Sequence, residues 1–376
     1  MSETATTART LDLGTPPERF ARGWHCLGLA DSFRDGAPHP VEAFGTRIVV
    51  WADSRGELRA VDAYCRHMGG DLGQGTIKGD DLACPFHDWR WGGDGRCTSI
   101  PYARRVPLRA RTRTWQLREV NRQLFVWHDH EGREPDQDIP VIPGAGDPGW
   151  SDWTWNQALI EGSSCREIVD NVVDMAHFFY VHYAFPTYFK NVFEGDTAAQ
   201  YMTSTSRPDV QLGTHYSGES EGRSEAIYHG PSYMVNYLWQ TTRKRTMELV
   251  LINCHYPVTP TSFVLQWGAI VKKPEGMDEE LVAKVAESYT TGVETGFLQD
   301  IAIWQSKAKI DNPLLCEEDG PVYQLRRWYE QFYVDRDAVS EDMTARFEFE
   351  IDTGRANEHW RSEVEENLRT GRAVRA

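Results

Sequence analysis

Two short stretches of the sequence set sulfur and imidazole donors side by side. They are Cys65-Arg66-His67-Met68-Gly69-Gly70-Asp71-Leu72 and Cys84-Pro85-Phe86-His87-Asp88-Trp89-Arg90-Trp91-Gly92-Gly93-Asp94-Gly95. Two thiolates and two imidazoles, one of each per stretch, suit a [2Fe–2S] centre with both cysteines on one iron and both histidines on the other. Neutral imidazoles leave less negative charge on their iron than thiolates would, which lifts the potential to about −150 to +300 mV. Such a centre takes electrons singly from a low-potential, ferredoxin-like donor. The glycines fit loops that must approach an inorganic core closely. Structural zinc is the rival for a Cys₂His₂ set, but zinc knuckles usually hold two cysteines about two to four residues apart, and here each stretch is mixed. Cys97, in the same region, reads as a buried packing residue.

A second constellation lies in Asp170-Asn171-Val172-Val173-Asp174-Met175-Ala176-His177-Phe178-Phe179-Tyr180-Val181-His182-Tyr183-Ala184-Phe185-Pro186. Asn171, Asp174 and His177 recur every third residue and form one polar stripe on a helix in otherwise apolar surroundings. Ionisable groups aimed into such surroundings need a partner or a metal. His182 falls roughly 140° from His177 around a regular helix, so the helix must distort or end near Tyr180 if both bind one ion. Pro186 agrees with an ending nearby. Two histidines and one carboxylate on one face of an iron leave positions open for O₂. Asp174 lies one turn from His177 on the same helix and cannot easily complete that triad. The best candidate is Asp300, mid-helix, with Phe297 and Trp304 on its own face. A solvated helix face is the plainer reading of Asp300; the two flanking aromatics argue for a pocket.

These residues require a frame. Residues 1–20 read as a flexible tail, without the apolar stretch of a signal peptide. Residues 21–130 are all-β in character, with strands at Thr46–Trp51, Leu58–Val61, Gly75–Lys78 and Gln123–Trp127 between turn signals. Residues 131–150, rich in Asp, Gly and Pro, have the composition of a linker. The remainder, 151–376, mixes a helix over 163–183, long strands over 199–271, a helix from Asp278 to Ile310, a strand Phe347–Ile351 and a last helix Asn357–Arg369. Strands in series with segregated helices make an α+β domain.

At 376 residues, with 14 Trp, 15 Tyr and 15 Phe, the chain supports two packed domains. Its balance of 40 basic to 56 acidic side chains, −16 net, argues against nucleic-acid binding through a basic surface. No apolar run reaches membrane-spanning length. Seven scattered cysteines, an odd number, are the usage of a reducing, cytoplasmic compartment.

The substrate leaves fainter traces. Alternation in 231–238 puts Met234, Asn236 and Leu238 on one face, and Asn253 interrupts the apolar run 250–256. Each amide either satisfies neighbouring backbone or meets a ligand oxygen. No Arg or Lys lies in these stretches to neutralise a carboxylate, which favours a bulky, flat molecule with few oxygens.

The two Cys/His stretches resemble the [2Fe–2S] domain of bacterial Rieske non-heme iron oxygenases. The pattern Asp-x₂-His-x₄-His followed by a distant Asp resembles their mononuclear iron site. The resemblance implies an α+β protein: an all-β Rieske domain, then a helix-grip (START-like) catalytic domain. It implies that Cys65 and Cys84 hold the inner iron of the cluster and His67 and His87 the outer one. His177, His182 and Asp300 would bind Fe(II), with Asn171 beside it and Asp174 a bridge. These oxygenases assemble as homotrimers, so Asp174 would link His177 to a cluster histidine, His87, of the neighbouring chain. Many members have Gly where this chain has Asp88, a carboxylate expected to lower the cluster potential.

Nearly all of the chain past the tail resembles one subgroup, the oxygenase components of 3-ketosteroid 9α-hydroxylases. The resemblance is carried by residues 19–26, 85–91, 183–195 and 311–315. It implies C9 hydroxylation of a 3-oxo-steroid, free or as a CoA thioester, in steroid catabolism. The electrons would come from a separate NADH-dependent reductase holding the flavin. Gln200, Tyr228, Met234, Asn236, Asn253, Phe297 and Trp304 would line the pocket. The rivals are another Rieske oxygenase (aromatic-ring hydroxylating, or a sterol desaturase), a Rieske electron carrier, and a lipid-binding module.

Overall fold

The computed structural model describes residues 12–375 except 213, 214, 217–219, 243–245, 275 and 373. The first eleven residues of the expected tail lie outside the described residues. Of the rest, Leu13 bridges to Ile310 and the Asp12 carbonyl accepts from the Asp311 amide.

The N-terminal domain is built from short antiparallel strands. They are β1 (Gly23–Leu29), β2 (His39–Ala43), β3 (Thr46–Ala52), β4 (Leu58–Asp62), β5 (Thr76–Lys78), β6 (Asp81–Ala83), β7 (Arg90–Trp91), β8 (Cys97–Ser99), β9 (Leu117–Val120) and β10 (Gln123–His128). They form three sheets, β1-β10-β9, β2-β3-β4 and β5-β6-β7-β8. In β3 the run Ile48-Val49-Val50-Trp51 is buried on both faces, and its β-branched residues suit that setting.

The segment expected to be a linker is not a free tether. Ile139 and Ile142 are buried in one core with Trp24, Phe125 and Trp127 of the first domain and Tyr233, Val250 and Ile270 of the second. Its Asp, Gly and Pro make the turns of an irregular strap, and the two isoleucines hold that strap down.

The second domain centres on an eight-stranded antiparallel sheet. The chain supplies β11 (Thr154–Glu161), β12 (Ala184–Glu194), β13 (Thr197–Ser206), β14 (Val210–Leu212), β15 (His215–Tyr216), β16 (Ser220–His229), β17 (Tyr233–Thr242), β18 (Thr246–Thr259), β19 (Ser262–Val271), β20 (Phe347–Glu350) and β21 (Val374–Arg375). The large sheet runs β11-β19-β18-β17-β16-β13-β12-β20. Strand β12 is an addition to the strands expected from the sequence; Pro186 lies in it, at a register shift between Pro186 and Tyr188, a place where a strand tolerates proline.

The helices are α1 (Cys165–Val169), α2 (Ala176–Tyr180), α3 (Glu279–Ser306), α4 (Val322–Glu330), α5 (Glu341–Thr344) and α6 (Gly354–Thr370). Helix α3 starts where Asp278 accepts the Leu281 amide at 2.7 Å, with Glu279 and Glu280 in its first turn, a favourable N-terminus. Among the described residues no helix is long and apolar enough to cross a membrane.

The single helix expected over 163–183 is instead α1, a 3-10 turn Asp170–Val172, and α2. Two influences break it. Ile168, Val169, Val172 and Val173 are β-branched and weak helix formers. Arg326 grips the Asp170 carboxylate at 2.6 and 3.2 Å from a distant part of the chain.

Three histidines are buried near the junction of the domains: His25, His128 and His255. The Ala21 carbonyl is 3.0 Å from His25 Nε2 and 3.2 Å from His128 Nδ1. Neither ring nitrogen of His255 has a hydrogen-bond partner among the described residues. Burial pulls His25 down from 6.5 to about 4, and His128 and His255 to about 3. Between these values and 6.5 the unfolded chain binds protons that the folded chain does not, so stability falls as the pH drops below 6.5. At pH 5 each site costs about 2 kcal/mol. The melting temperature of His255→Phe is therefore expected to fall less between pH 7 and pH 5 than that of the parent protein. Equal slopes for the two proteins would remove His255 from the account.

Candidate active site

The Cys/His stretches form two loops of one design, between β4 and β5 and between β6 and β7. In the first, the Cys65 amide donates to Gly70 and the Gly69 amide to Cys65, at 2.9 and 2.8 Å. In the second, the Cys84 amide donates to Trp89 and the Asp88 amide to Cys84, both at 2.9 Å. The residue four past each cysteine is left-handed: Gly69 at φ 74° and Asp88 at φ 57°. Asp88 thus holds a seat that favours glycine, and short polar side chains tolerate it best.

Its charge is also answered. Lys78 and Arg90 lie 2.6 and 3.4 Å from the Asp88 carboxylate, and the Lys78 bond holds that carboxyl below its usual range. The lowering of cluster potential expected from a bare carboxylate is therefore opposed by two cations.

Between the loops, Cys65 and Cys84 are buried, and Trp91 Nε1 donates to Cys65 Sγ at 3.4 Å. The rings of His67 and His87 stand 4.7 Å apart, His67 stacked on Trp89 at 4.5 Å and His87 beside Phe86 at 3.9 Å. Nδ1 of each histidine is buried and has no hydrogen-bond partner among the described residues. Two orphaned imidazole nitrogens and two buried thiols are the donor set of a cluster with mixed ligands.

Gly70 leaves no room for a side chain: a Cβ there would lie 2.7 Å from Cys84 Sγ. Gly70→Ala is expected to displace the Cys84 sulfur and reduce cluster incorporation severalfold, read as iron and sulfide content and Rieske EPR amplitude at equal protein. Full cluster content in that variant would show that the loops do not clasp the cluster as drawn.

In the second domain α2 ends at Tyr180, and Tyr183 turns the chain at φ 56°. This brings the rings of His177 and His182 to 5.0 Å. Asp300, 4% exposed on α3, reaches His182 Nε2 with Oδ2 at 3.2 Å. One ligand atom from each of His177, His182 and Asp300 lies within 4.8 Å of the others.

Asp174 is not among them, and because the helix is broken it shares no continuous stripe with Asn171 and His177. Its backbone carbonyl lies 2.5 Å from His177 Nδ1, which puts the proton on Nδ1 and leaves Nε2 as the free donor. Its carboxylate is 3.8 Å from the same nitrogen and half exposed. Asn171 lines the cavity that the two histidines and Asp300 border.

That cavity, of about 1120 Å³, lies between α3 and the sheet. Gln200, Tyr228, Met234, Asn236, Asn253, Phe297 and Trp304 all line it. The strand registers explain why. Gln200, Ala226, Asn236 and Leu251 form one cross-strand row, and Ala198, Tyr228, Met234, Asn253 and Trp267 the next.

Oδ1 of Asn236 and of Asn253 is buried with no hydrogen-bond partner among the described residues. Sequence reasoning missed Phe178, Met202, Ala226, Met247 and Leu251 on this wall; pairing the strands about Asn236 is the signal that finds Ala226 and Leu251. Two cations border the cavity from outside the stretches read for substrate, and both are paired. Arg207 is held by Asp209 at 2.7 Å and Lys284 by Glu280 at 2.7 Å.

Such an arrangement can be compared with known proteins. Residues 23–115 match the Rieske [2Fe-2S] domain family. The fold superposes on dicamba monooxygenase bound to dicamba with a TM-score of 0.67 at 17% identity, covering 83% of this chain and 97% of that one. The architecture is that of a Rieske oxygenase.

Residues 126–333 match the 3-Ketosteroid 9alpha-hydroxylase C-terminal domain. Over 362 residues the chain is 64% identical to a 3-ketosteroid-9-alpha-monooxygenase, oxygenase component, of Rhodococcus rhodochrous, covering 96% of this chain and 95% of the relative. Its likeness to the component of that name from Mycobacterium tuberculosis is 61% over 365 residues, 96% of this chain and 94% of that one. The chain belongs to the 3-ketosteroid-9-alpha-monooxygenase oxygenase-component family, whose cofactors are a Rieske cluster and a non-heme iron.

Proposed function

We propose that this chain is the terminal oxygenase that hydroxylates a 3-ketosteroid at C9, using O₂ and electrons from an NADH-dependent flavin and iron–sulfur reductase. The observation that carries the reading is the cavity. Its wall is mainly apolar, the buried Oδ1 atoms of Asn236 and Asn253 have no hydrogen-bond partner among the described residues, and a two-histidine, one-carboxylate set stands at its edge. A half-turn of either amide aims its NH₂ at a ketone, and as placed its Oδ1 accepts from a hydroxyl.

In this reading Cys65 and Cys84 would hold one iron of the cluster, His67 and His87 the other through their unpartnered Nδ1 atoms, and His177, His182 and Asp300 the mononuclear iron. A cluster held by the first set would supply electrons singly, and an iron held by the second would leave positions open for O₂. The Asp174 carbonyl fixes the His177 tautomer. Its half-exposed carboxylate is available to His87 of a neighbouring chain, which supports a homotrimer. Asn171 keeps a polar group beside the ligand set. Seven unpaired cysteines, six of them buried, support a cytoplasmic location.

The test is O₂ uptake driven by NADH and a matching reductase, with mass analysis of the product, using a free 3-ketosteroid and its CoA thioester in parallel. No 9-hydroxylated steroid from either would refute the proposal. Asp300→Ala should lose about one iron per chain and all turnover while the Rieske EPR signal survives; retained hydroxylation would assign the third ligand elsewhere.

Asn253→Leu removes one amide without opening a void. A lost neutral hydrogen bond of about 0.5–1.5 kcal/mol weakens steroid binding by roughly two- to tenfold. The melting temperature should hold, since Oδ1 of Asn253 satisfies no described group. A lower melting temperature with unchanged affinity would make the amide scaffolding.

A further inference from the structure

The chain is acidic as a whole, −16 net, but one surface inverts that charge. Residues 104–113 hold five arginines, Arg104, Arg105, Arg109, Arg111 and Arg113, and no acid. Arg104, Arg105, Arg109 and Arg111 are exposed and make no ion pair with a described residue. Elsewhere in the same domain Arg34, Arg47, Arg59 and Arg90 are each matched by a carboxylate.

Mutual repulsion would scatter such a segment, yet it is tied down. The Cys97 amide donates to Ala110 at 3.0 Å, Thr112 to Gly95 at 2.8 Å and Asp62 to Arg113 at 3.0 Å. Val106 and Ala110 pack on the core that contains Cys65 and Cys84. Unpaired like charges fixed on one rigid arch favour an anionic partner.

The arch also carries apolar surface, Leu108 at 98% and Tyr102 at 64% exposure. Tyr102 Oη accepts from Trp89 Nε1 at 2.7 Å, and Trp89 lies flat on His67, 4.5 Å away with 6° between planes. One hydrogen bond and one ring stack therefore connect Tyr102, two residues before the arch, to a cluster histidine.

We propose that the arginine arch 104–113, with Tyr102 and Leu108, is the docking site of the electron donor, an iron–sulfur reductase with an acidic face. The inference rests on the proposed function, since it presumes a donor. The exchange is one electron at a time: the donor's reduced iron–sulfur centre is oxidised and the Rieske cluster is reduced, with no bond made or broken. The cationic arch steers the encounter, and Tyr102 and Leu108 seat the partner beside Trp89.

The test uses the full-length, metal-loaded protein carrying Arg104→Glu, Arg105→Glu and Arg109→Glu together. Its affinity for a flavin and iron–sulfur reductase of a 3-ketosteroid 9α-hydroxylase system is measured by calorimetry at low and high salt, alongside solution mass and Rieske EPR. The Kd should rise about tenfold or more at low salt, with the gap closing at high salt, while mass and EPR hold. The three-fold Lys variant, which keeps the charge, should stay within about threefold of the parent; it and the single Arg109→Gln variant serve if the Glu variant does not fold.

An unchanged Kd and salt dependence would overturn the proposal. So would a changed mass with unchanged affinity per assembled molecule, which would make the arch a contact between copies of this chain. Single turnover of dithionite-reduced parent protein with a 3-ketosteroid separates the premises: absence of 9-hydroxylated product refutes the function, wherever the reductase binds.

Discussion

A carboxylate surrounded by hydrocarbon must be matched, because an isolated buried charge is among the most costly features a fold can contain. In this protein the match is Asp300 against His182, and the second domain is arranged to make it. Helix α3 is fixed along its length. Asp278 caps its start, Thr290 hydrogen-bonds Thr154 on β11, Phe297 lies 5.6 Å from Trp267, and Lys307 meets the buried Glu167 at 2.8 Å. On the other side Asp170 and Arg326 hold the break between α1 and α2, and α2 ends at Tyr180, just before the left-handed Tyr183. If α2 instead continued past Tyr180, His182 would point away from His177, and Asp300 would lose the imidazole that matches it.

The sheet beneath α3 is covered on both faces. One borders the cavity, and the other packs on the first domain, where Tyr233, Val235, Val250 and Ile252 meet Trp24, Phe125 and Trp127. Polar groups cross that boundary in bonded pairs: Gln266 Nε2 donates to the Cys26 carbonyl at 2.8 Å, and Tyr233 Oη to Gln123 at 2.8 Å. Many antiparallel sheets leave one face in water and show alternating sequence. Here β18 is buried continuously from Leu249 to Tyr256, which is why Asn253 stands out within it.

The side chains that cluster in the structure were legible because their chemistry is local. A cysteine and a histidine on one short loop declare themselves, and Asp300 was marked by aromatics one turn away on either side. What escaped the sequence reading depends on partners far along the chain. The break at Asp170 needs Arg326, 156 residues on. The strand Ala184–Glu194 was obscured by Pro186, which a register shift accommodates. The answer to the Asp88 charge came from Lys78, on the neighbouring hairpin. The strap at 131–150 was read by its composition, while two isoleucines decide its behaviour. Substrate-facing positions were legible where alternation marked a face, as for Met234 and Asn236, and lost where only strand pairing brings them in, as for Ala226 and Leu251.

The shared core also bears on how such a chain can be inherited. The match to the C-terminal family begins at residue 126, inside β10, a strand that belongs to the first domain's sheet. A cut anywhere in the strap would strip cover from Trp24 and Trp127 on one side and from Tyr233 and Ile270 on the other. The two halves are therefore poor candidates for shuffling as independent modules. Recombination between relatives should preserve them as one block, with the electron-relay domain and the oxygen-using domain passed on together.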